Sequence, residues 1–339
     1  MMTTLINSET VDRPGLYHMS EVAYHADPCP LPSLSRSIAL KLIEESPLHA
    51  HAAHPRLTKQ ADKEQKNDRT REIGSAAHAM LLNQQTEICV IDAGDFKTKK
   101  AQEERREAQE RGAIPVPTPD YETVLAMVEK ARRVLAESEH EALRAIASNE
   151  PIETAFNEVT ACVLDPCGGW TRIRMDRIHV TRPRIAIVDY KTTELSVSPE
   201  KVKNTLYNNN YHFQDAFYRR VIRQIFPEID RREMALDFLF LMQEQSPPFE
   251  ITVAQTDRAA QSIGSKMVSA SFLLWRKCMA ENDWPGYPSD IVTAEFPAYL
   301  DTRWCAREID DPRLQGLGFD PMPAFEHKPY EPIKIVEPV

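Results

Sequence analysis

Long apolar runs are absent from this 339-residue sequence. No stretch approaches the roughly 20 uninterrupted apolar residues that a membrane-spanning helix needs. The first residues, MMTTLINSETVDRP, also lack the basic and apolar regions of a signal peptide. We therefore expect a cytoplasmic protein with no membrane association.

Paired cysteines and a phosphate-binding loop are missing as well. The six cysteines are scattered without a CxxC pair, which argues against a zinc ribbon, a thioredoxin-like site and a clustered iron–sulfur site. We interpret them as reduced thiols. No segment matches GxxxxGK(S/T), so the chain does not encode an NTP-driven motor, and no internal repeat is visible.

Basic residues are fewer than acidic ones, 41 Lys and Arg against 51 Asp and Glu, so the formal net charge is -10 at pH 7. Affinity for DNA comes largely from Lys and Arg that neutralise phosphates, so this balance argues against tight non-specific coating of DNA. It does not exclude a local basic groove around an acidic, cation-binding centre. With 42% hydrophobic and 27% charged residues, the composition is that of a globular protein with a sizeable core.

Residues 1–150 are predicted to form a mainly helical N-terminal part of one enlarged α/β domain. Apolar spacing indicates two helices within 34–53, separated at Pro47, and a third from Ile73 to Leu82 that carries His78. A polar loop is expected at 58–71. A charged surface helix is expected between Phe96 and Gly112, then a Pro-rich joint, IPVPTP, and an amphipathic helix over 121–147.

Residues 151–255 change to strand periodicity and form the predicted core. Segments 154–164, 170–180 and 184–192 indicate an antiparallel meander of three strands. A helix is expected over 210–225, with strands at 235–242 and 249–254, which together describe a compact α/β layer. Residues 256–339 are predicted to contain one helix, to about Met279, and then an irregular segment.

Two acids and a lysine converge in the predicted meander. Alternate side chains of a strand share a face, so Asp189 and Lys191 in IAIVDYKTT point the same way. Hairpin pairing would bring Asp176, in TRIRMDRI, next to Asp189. Paired carboxylates can hold Mg²⁺ for phosphodiester hydrolysis, and a lysine can orient or activate the attacking water. A surface hairpin with simple Asp–Lys pairs is the alternative interpretation.

Three further polar residues sit beside predicted apolar stripes. Gln214 and Tyr218, in YHFQDAFYRRVI, lie four apart on one helical face, next to a stripe containing Phe213 and Phe217. They are either a surface pair or groups that grip a nucleic-acid strand. His78 lies on an otherwise apolar helix and is either a hydrogen-bonded core residue or, in combination with the acids, a ligand for Mg²⁺ or Mn²⁺.

The order of four motifs resembles a known family. GSAAH, RMD, DYKTT and QDAFY, in this order, resemble the RecB-like branch of the PD-(D/E)xK nuclease superfamily. The segment YHADPCPLPSLSRSIALKLIEESPLHAHAAHPRL resembles the opening of RecE-type exonucleases, the exonuclease VIII group. The similarity runs from Tyr24 to about Tyr218. It implies a restriction-endonuclease-like core, with a mixed central sheet flanked by helices and a helical N-terminal extension.

The resemblance also implies roles for individual residues. His78, Asp176 and Asp189 would be metal ligands, and the backbone carbonyl of Tyr190 would complete the metal sphere. Lys191 would be the catalytic lysine. Gln214 and Tyr218 would support the site and contact the strand. Glu158, in FNEVT, matches an acidic position of this branch, and we interpret it as structural support.

The resemblance implies a Mg²⁺-dependent exonuclease, with Mn²⁺ as a possible substitute. Such an enzyme digests linear double-stranded DNA from the 5′ end and leaves a 3′ single strand for an annealing partner in recombination, often in a prophage setting. Relatives of this type form tetrameric rings, and enclosure would hold DNA despite the acidic net charge. The alternatives are an endonuclease or single-strand nuclease with the same centre, and an inactive DNA-end-binding protein.

Overall fold

The computed structural model describes residues 4–58, 69–84, 86–148, 153–167, 169–295 and 297–314. They belong to two compact units, Met1–Gly286 and Tyr287–Val339. Within the described ranges, none of the helices combines the length and apolar character needed to cross a bilayer.

The first unit alternates short N-terminal strands and helices before its central meander. Up to residue 148 its elements are β1 (Leu5–Asn7), β2 (Gly15–His18), α1 (Glu21–Ala26), β3 (Leu34–Ser35), α2 (Arg36–Glu44), α3 (Pro47–Ala53), α4 (Arg69–Leu81), β4 (Ile88–Ile91), α5 (Lys99–Glu110), β5 (Ile114–Pro117), α6 (Thr118–Ala136) and α7 (Glu141–Ala147). The later elements are β6 (Ala155–Asp165), β7 (Gly169–Val180), β8 (Arg184–Thr193), α8 (Pro199–Asn208), α9 (Tyr211–Ile225), β9 (Ala235–Glu244), β10 (Ile251–Ala254) and α10 (Arg258–Glu281).

One mixed sheet organises the described part of this unit. Its strand order is β1-β2-β6-β7-β8-β9-β10, and β3 pairs with β7 outside this path. The predicted meander is present, because β6, β7 and β8 pair antiparallel. β9 then returns parallel to β8, with Asp189 opposite Phe240. The arrangement confirms the predicted α/β class with a mixed central sheet flanked by helices.

The two faces of the sheet carry separate apolar clusters. On β8, Ile185 and Ile187 pack into a cluster that includes Phe213 and Phe217 of α9. The alternate residues, Val188 among them, pack into a second cluster with residues of α4, α6 and α7. Strand alternation therefore buries β8 on both sides, and its polar groups lie at its two ends, Arg184 at the start and Asp189 to Thr193 at the carboxyl end.

Several predictions for the N-terminal part need correction. It is not purely helical, because β1 and β2 extend the main sheet and the IPVPTP joint contains β5, which pairs with β4. The helix predicted over 121–147 is two helices, α6 and α7. These strands are short and pair with partners distant in sequence, so local periodicity could not indicate them. The predicted loop at 58–71 falls mostly on 59–68, outside the described residues.

The other local predictions agree more closely with the structure. Ser46 caps α3 and Pro47 occupies its first turn, so the proline divides the predicted helix pair as expected. α9 and α10 lie close to their predicted limits, whereas α8 was not predicted. The second unit contains α11 (Ala298–Asp310), in a segment for which the sequence indicated no clear element.

Gly264 allows α10 to approach α9 closely, which leads to a stability prediction. A Cβ at this position would lie 2.3 Å from the His212 backbone oxygen and 3.0 Å from the Ala216 Cβ. Because helix backbone cannot move aside easily, Gly264→Ala should lower the free energy of unfolding by about 1–3 kcal/mol. Chemical denaturation would measure this loss.

Gly94→Ala is the matched control, since a Cβ at Gly94 would have no neighbour within 4 Å. We expect it to change the free energy of unfolding by less than about 1 kcal/mol. Equal stability of the two variants would show that the contact between α9 and α10 is looser than the structure indicates.

Candidate active site

Asp176 and Asp189 come together where β7 and β8 stop pairing. The last paired residues are Arg177 and Val188, so the two aspartates occupy the next position on each strand. Beyond this point the Tyr190 backbone N–H donates to Asp176 Oδ2 at 2.9 Å. The juxtaposition of Asp176 and Asp189 predicted from the sequence is therefore present. At this point an oxygen of the Asp176 side chain, instead of a backbone carbonyl of β7, accepts from the β8 backbone.

An irregularity in β7 accompanies this separation. Ile173, Met175 and Ile178 all pack into the same core cluster, so the alternation of side chains shifts by one residue at Asp176–Arg177. On the neighbouring strand β6, Glu158 has a φ of 53°, in the left-handed region that non-glycine residues seldom adopt. Such irregularities occur next to active sites, where they redirect a side chain.

Lys191 and Gln214 hold the two oxygens of Asp189. Lys191 Nζ lies 2.8 Å from Asp189 Oδ2, and Gln214 Nε2 donates to Asp189 Oδ1 at 2.7 Å. The Tyr218 hydroxyl donates to the Arg174 backbone carbonyl at 2.7 Å. Both α9 residues are buried, so they do not form a surface pair. They attach α9 to the two strands that carry the acids.

His78 reaches the same site from α4. Its Nε2 lies 2.9 Å from Asp176 Oδ2. Ligand atoms of His78, Glu158 and Asp176 all lie within 4.8 Å of one another, close enough to share a cation. His78 therefore contacts the acids, as the ligand interpretation requires. Glu158, for which the sequence indicates a supporting role, also lies within this group.

Gln84 is a site residue that the sequence did not indicate. Its Nε2 lies 2.6 Å from His78 Nδ1 and also donates to Glu158 Oε1. Arg174 donates from Nε to Glu158 Oε2 at 2.8 Å. Gln84 follows the end of α4 and belongs to no motif, so no local pattern could have identified it. Arg174 shares the RMD motif with Asp176, which could have served as a signal.

The Tyr190 side chain lies on the opposite side of the sheet from Asp189. Its hydroxyl donates to Gln243 Oε1, and its ring stacks on His78 with centroids 5.7 Å apart. Gln243 Nε2 in turn donates to the Met127 backbone carbonyl at 2.9 Å. These contacts anchor the end of β8 against the α4–α6 side, which holds the Tyr190 backbone between the two candidate catalytic residues.

The pKa values of the two aspartates are shifted in opposite directions. Burial by itself would raise the pKa of Asp176, but His78, Lys191 and the Tyr190 N–H outweigh it and lower this pKa to about 2. Burial raises the pKa of Asp189, against the attraction of Lys191. Burial would lower the pKa of Lys191, but both aspartates together raise it, so the lysine is a cation at neutral pH.

Two cavities open onto these residues. The larger, of about 840 Å³, is lined by His78, Glu158, Asp176 and Lys191 among others. The smaller, of about 530 Å³, is lined by Lys191, Gln214 and Tyr218 and by residues of the N-terminal part. Arg36, Arg172 and Lys191 line the smaller cavity, and no carboxylate is among its described lining residues. Lys191 and Arg172 are paired with Asp189 and Asp27, and Arg36 donates to the backbone carbonyls of Asn209 and Asn210, so the cavity combines cationic groups with nearby acids.

The donor set fits a divalent cation. An imidazole and carboxylates at the edge of an open cavity form a mixed N/O set of the kind that binds Mg²⁺ or Mn²⁺. Asp176 is the central group, since it contacts His78 directly and lies next to Asp189. Asp189 lies outside this three-residue cluster, and Lys191 and Gln214 engage its oxygens.

Comparisons with known proteins place this geometry in context. The model of the PD-(D/E)XK nuclease superfamily matches residues 35–307. A crystal structure described as "Putative exonuclease" from Eubacterium rectale has a TM-score of 0.49 and 13% sequence identity, over 80% of this chain and 93% of that chain. No curated protein sequence matches.

Proposed function

Because the chain belongs to the PD-(D/E)XK nuclease superfamily, whose members generally use divalent metal ions, we propose that it is a Mg²⁺-dependent exodeoxyribonuclease. Its substrate would be linear double-stranded DNA, degraded 5′ to 3′ to leave 3′ single strands for recombination. The observation that carries the proposal is the convergence of Asp176, Asp189 and Lys191 where β7 and β8 separate, with His78 in contact with Asp176.

Each residue of this group has a role in phosphodiester hydrolysis. His78, Asp176 and Asp189, with the Tyr190 carbonyl, would hold the metal, and Glu158 is a further candidate ligand. A bound Mg²⁺ would stabilise the charge that develops on phosphorus and make water a better nucleophile. Lys191, charged and adjacent to Asp189, would orient that water or stabilise the developing negative charge.

Gln214 and Tyr218 act through their neighbours in this proposal. Gln214 holds one oxygen of Asp189, so it would keep the carboxylate turned toward the metal. Tyr218 holds the backbone of β7 two residues before Asp176. Both also line the smaller cavity, where they can contact a bound strand. Nucleic acid is the matching substrate, because a metal held by the acids of the larger cavity would engage a phosphate, and Arg36 and Lys191 of the smaller cavity can contact neighbouring phosphates.

The motifs and the N-terminal segment support the finer parts of this proposal. Their resemblance to RecE-type exonucleases favours a cytoplasmic enzyme of recombination, often prophage-encoded, with a single-strand annealing protein as partner. The same resemblance favours a homotetrameric ring. Light scattering would test the ring, and a trap-DNA assay would test processivity. A monomer that degrades long duplexes processively would contradict the enclosure argument.

End-labelled DNA tests the proposed activity. We expect the protein to release label from linear duplex in Mg²⁺, to be inactive in EDTA, and to leave covalently closed circles intact. Faster loss of a 5′ label than of a 3′ label would support the polarity. Cleavage of circles would favour an endonuclease. DNA binding without any metal-dependent cleavage would favour an inactive end-binding protein and would contradict the proposal.

A further inference from the structure

Helix α1 lies between the two cavities that open onto the candidate site. The cavities share four lining residues, which are Tyr24 and His25 on α1 and Lys191 and Tyr218 at the site. The larger cavity continues from this junction toward His78, and the smaller one toward Arg36. The two cavities therefore adjoin at residues of α1 and of the candidate site, and we call the two together the path.

The N-terminal end of α1 is held by polar contacts, and Ala23 and Tyr24 also pack against the apolar cluster that contains Tyr17. The helix has six residues, all described, and none is buried. At its start Ser20 Oγ accepts from the Ala23 backbone N–H at 3.1 Å, and Glu9 accepts from the Ser20 N–H at 3.1 Å and from the hydroxyl at 2.6 Å. These contacts fix where the helix begins.

The C-terminal end of α1 is held by a buried network of ion pairs and hydrogen bonds. Asp27, with a φ of 67°, ends the helix and accepts from the Ser33 backbone N–H at 2.9 Å. Arg172 of β7 lies 3.1 Å from Asp27 and donates from Nε to the Tyr24 carbonyl at 3.2 Å. Asp27, Ser33 and Arg172 are all buried. Buried ion pairs contribute little net stability, so the network's main effect is to hold α1 in one position over the path.

The rings of Tyr24 and His25 extend from α1 where the two cavities adjoin. The Tyr24 and His25 ring centroids are 5.1 Å apart with an interplanar angle of 72°. The Tyr24 ring also lies beside Arg172, with the guanidinium carbon 5.6 Å from its centroid. Base stacking on such rings is a general, sequence-tolerant mode of single-strand binding. Away from the end of a duplex, a base can stack on a side chain only when it has left the base stack, as an unpaired base can.

We propose that a single DNA strand passes between α1 and the candidate catalytic residues, and that Tyr24 and His25 stack on bases next to the scissile phosphate. The choice of DNA as ligand rests on the proposed function. The bases of the strand contact α1, while its backbone faces Lys191 on the other side of the path. The enzyme therefore acts on nucleotides that have already separated from the complementary strand.

Oligonucleotide binding in EDTA tests this proposal without hydrolysis. The probe is a short single-stranded oligonucleotide containing 2-aminopurine, whose fluorescence falls on stacking. We expect the wild-type protein to quench it, and Tyr24→Ala and His25→Ala each to weaken binding by about 5- to 100-fold. Tyr24→Phe should retain quenching and affinity. Val22→Ala is the matched control, because Val22 is on the same helix, is 80% exposed and lines neither cavity.

The outcomes separate this inference from the proposed activity. Equal binding by the Val22, Tyr24 and His25 variants would overturn the role of α1, whether or not the protein hydrolyses DNA. Weakened binding in the two ring variants, with no Mg²⁺-dependent hydrolysis by the wild type, would support the strand-binding role and contradict the nuclease activity. If Tyr24→Ala unfolds, His25→Ala decides the question, because the His25 side chain is 68% exposed and its loss leaves the core intact.

Discussion

Asp176→Asn and Asp189→Asn should each abolish Mg²⁺-dependent DNA hydrolysis, with rates reduced by on the order of 10³-fold or more. Each substitution removes one carboxylate charge from the metal site and keeps the size of the side chain. In the first variant the new amide oxygen can still accept from the Tyr190 N–H. In the second it can accept from Gln214, while the amide nitrogen replaces the oxygen that contacts Lys191, so only the Lys191 contact is lost. Single-turnover cleavage of end-labelled duplex measures the loss.

Asp215→Asn is the matched control for these two variants. Asp215 is a fully buried acid on α9, directly after Gln214, but it contacts Arg219 and Thr256 instead of the candidate site. We expect Asp215→Asn to lower thermal stability and to keep its hydrolytic activity. Circular dichroism would verify folding in all three proteins. Near-normal cleavage by a folded Asp189→Asn protein would remove that residue from the centre.

Lys191→Met should slow hydrolysis by about 10²- to 10⁴-fold, the effect typical of a positioned group that assists proton transfer. Methionine keeps most of the aliphatic stem beside Tyr211, whose ring centroid lies 5.7 Å from the lysine nitrogen. The charge next to Asp189 is lost. Single-turnover rates at saturating Mg²⁺ isolate this effect on the chemical step.

Metal binding distinguishes this role of Lys191 from a purely structural one. Removing a cation beside two carboxylates makes the site more negative, so Mn²⁺ affinity, measured by calorimetry, should be unchanged or higher. Lys191→Arg keeps the charge in a different shape and should fall between wild type and Lys191→Met. A variant that lost Mn²⁺ affinity but kept its turnover would contradict the assignment.

The pair of acids and the lysine could be placed from the sequence because they depend on short-range rules. Asp189 and Lys191 share a face by strand alternation, and Asp176 reaches Asp189 through a hairpin between consecutive strands. Both rules act within a single hairpin of the chain. The structure agrees on the neighbourhood but differs in detail, because regular alternation does not anticipate the shift at Asp176–Arg177.

The contacts of His78 could not be derived in this way. Residues 82–168 separate α4 from β7 in the chain, so the distance between His78 and Asp176 depends on how α4 packs against β8. The sequence left open whether His78 is a hydrogen-bonded core residue or, in combination with the acids, a metal ligand, and the motif resemblance favoured the ligand. Gly74 illustrates the packing involved, since a Cβ there would lie 2.6 Å from Thr192 Oγ1. A larger residue would hold α4, and with it His78, farther from the sheet.

The sequence by itself therefore determined the α/β class, the central meander and the Asp176–Asp189–Lys191 group, because periodicity and hairpin pairing are local properties. Only the tertiary structure decided that β1 and β2 extend the sheet, that Glu158 and Gln84 join His78, and that α1 lines both cavities at the site. These features depend on contacts between residues far apart in the chain. Such contacts form only when the helices and strands pack together, so the residue pattern of any single segment does not indicate them.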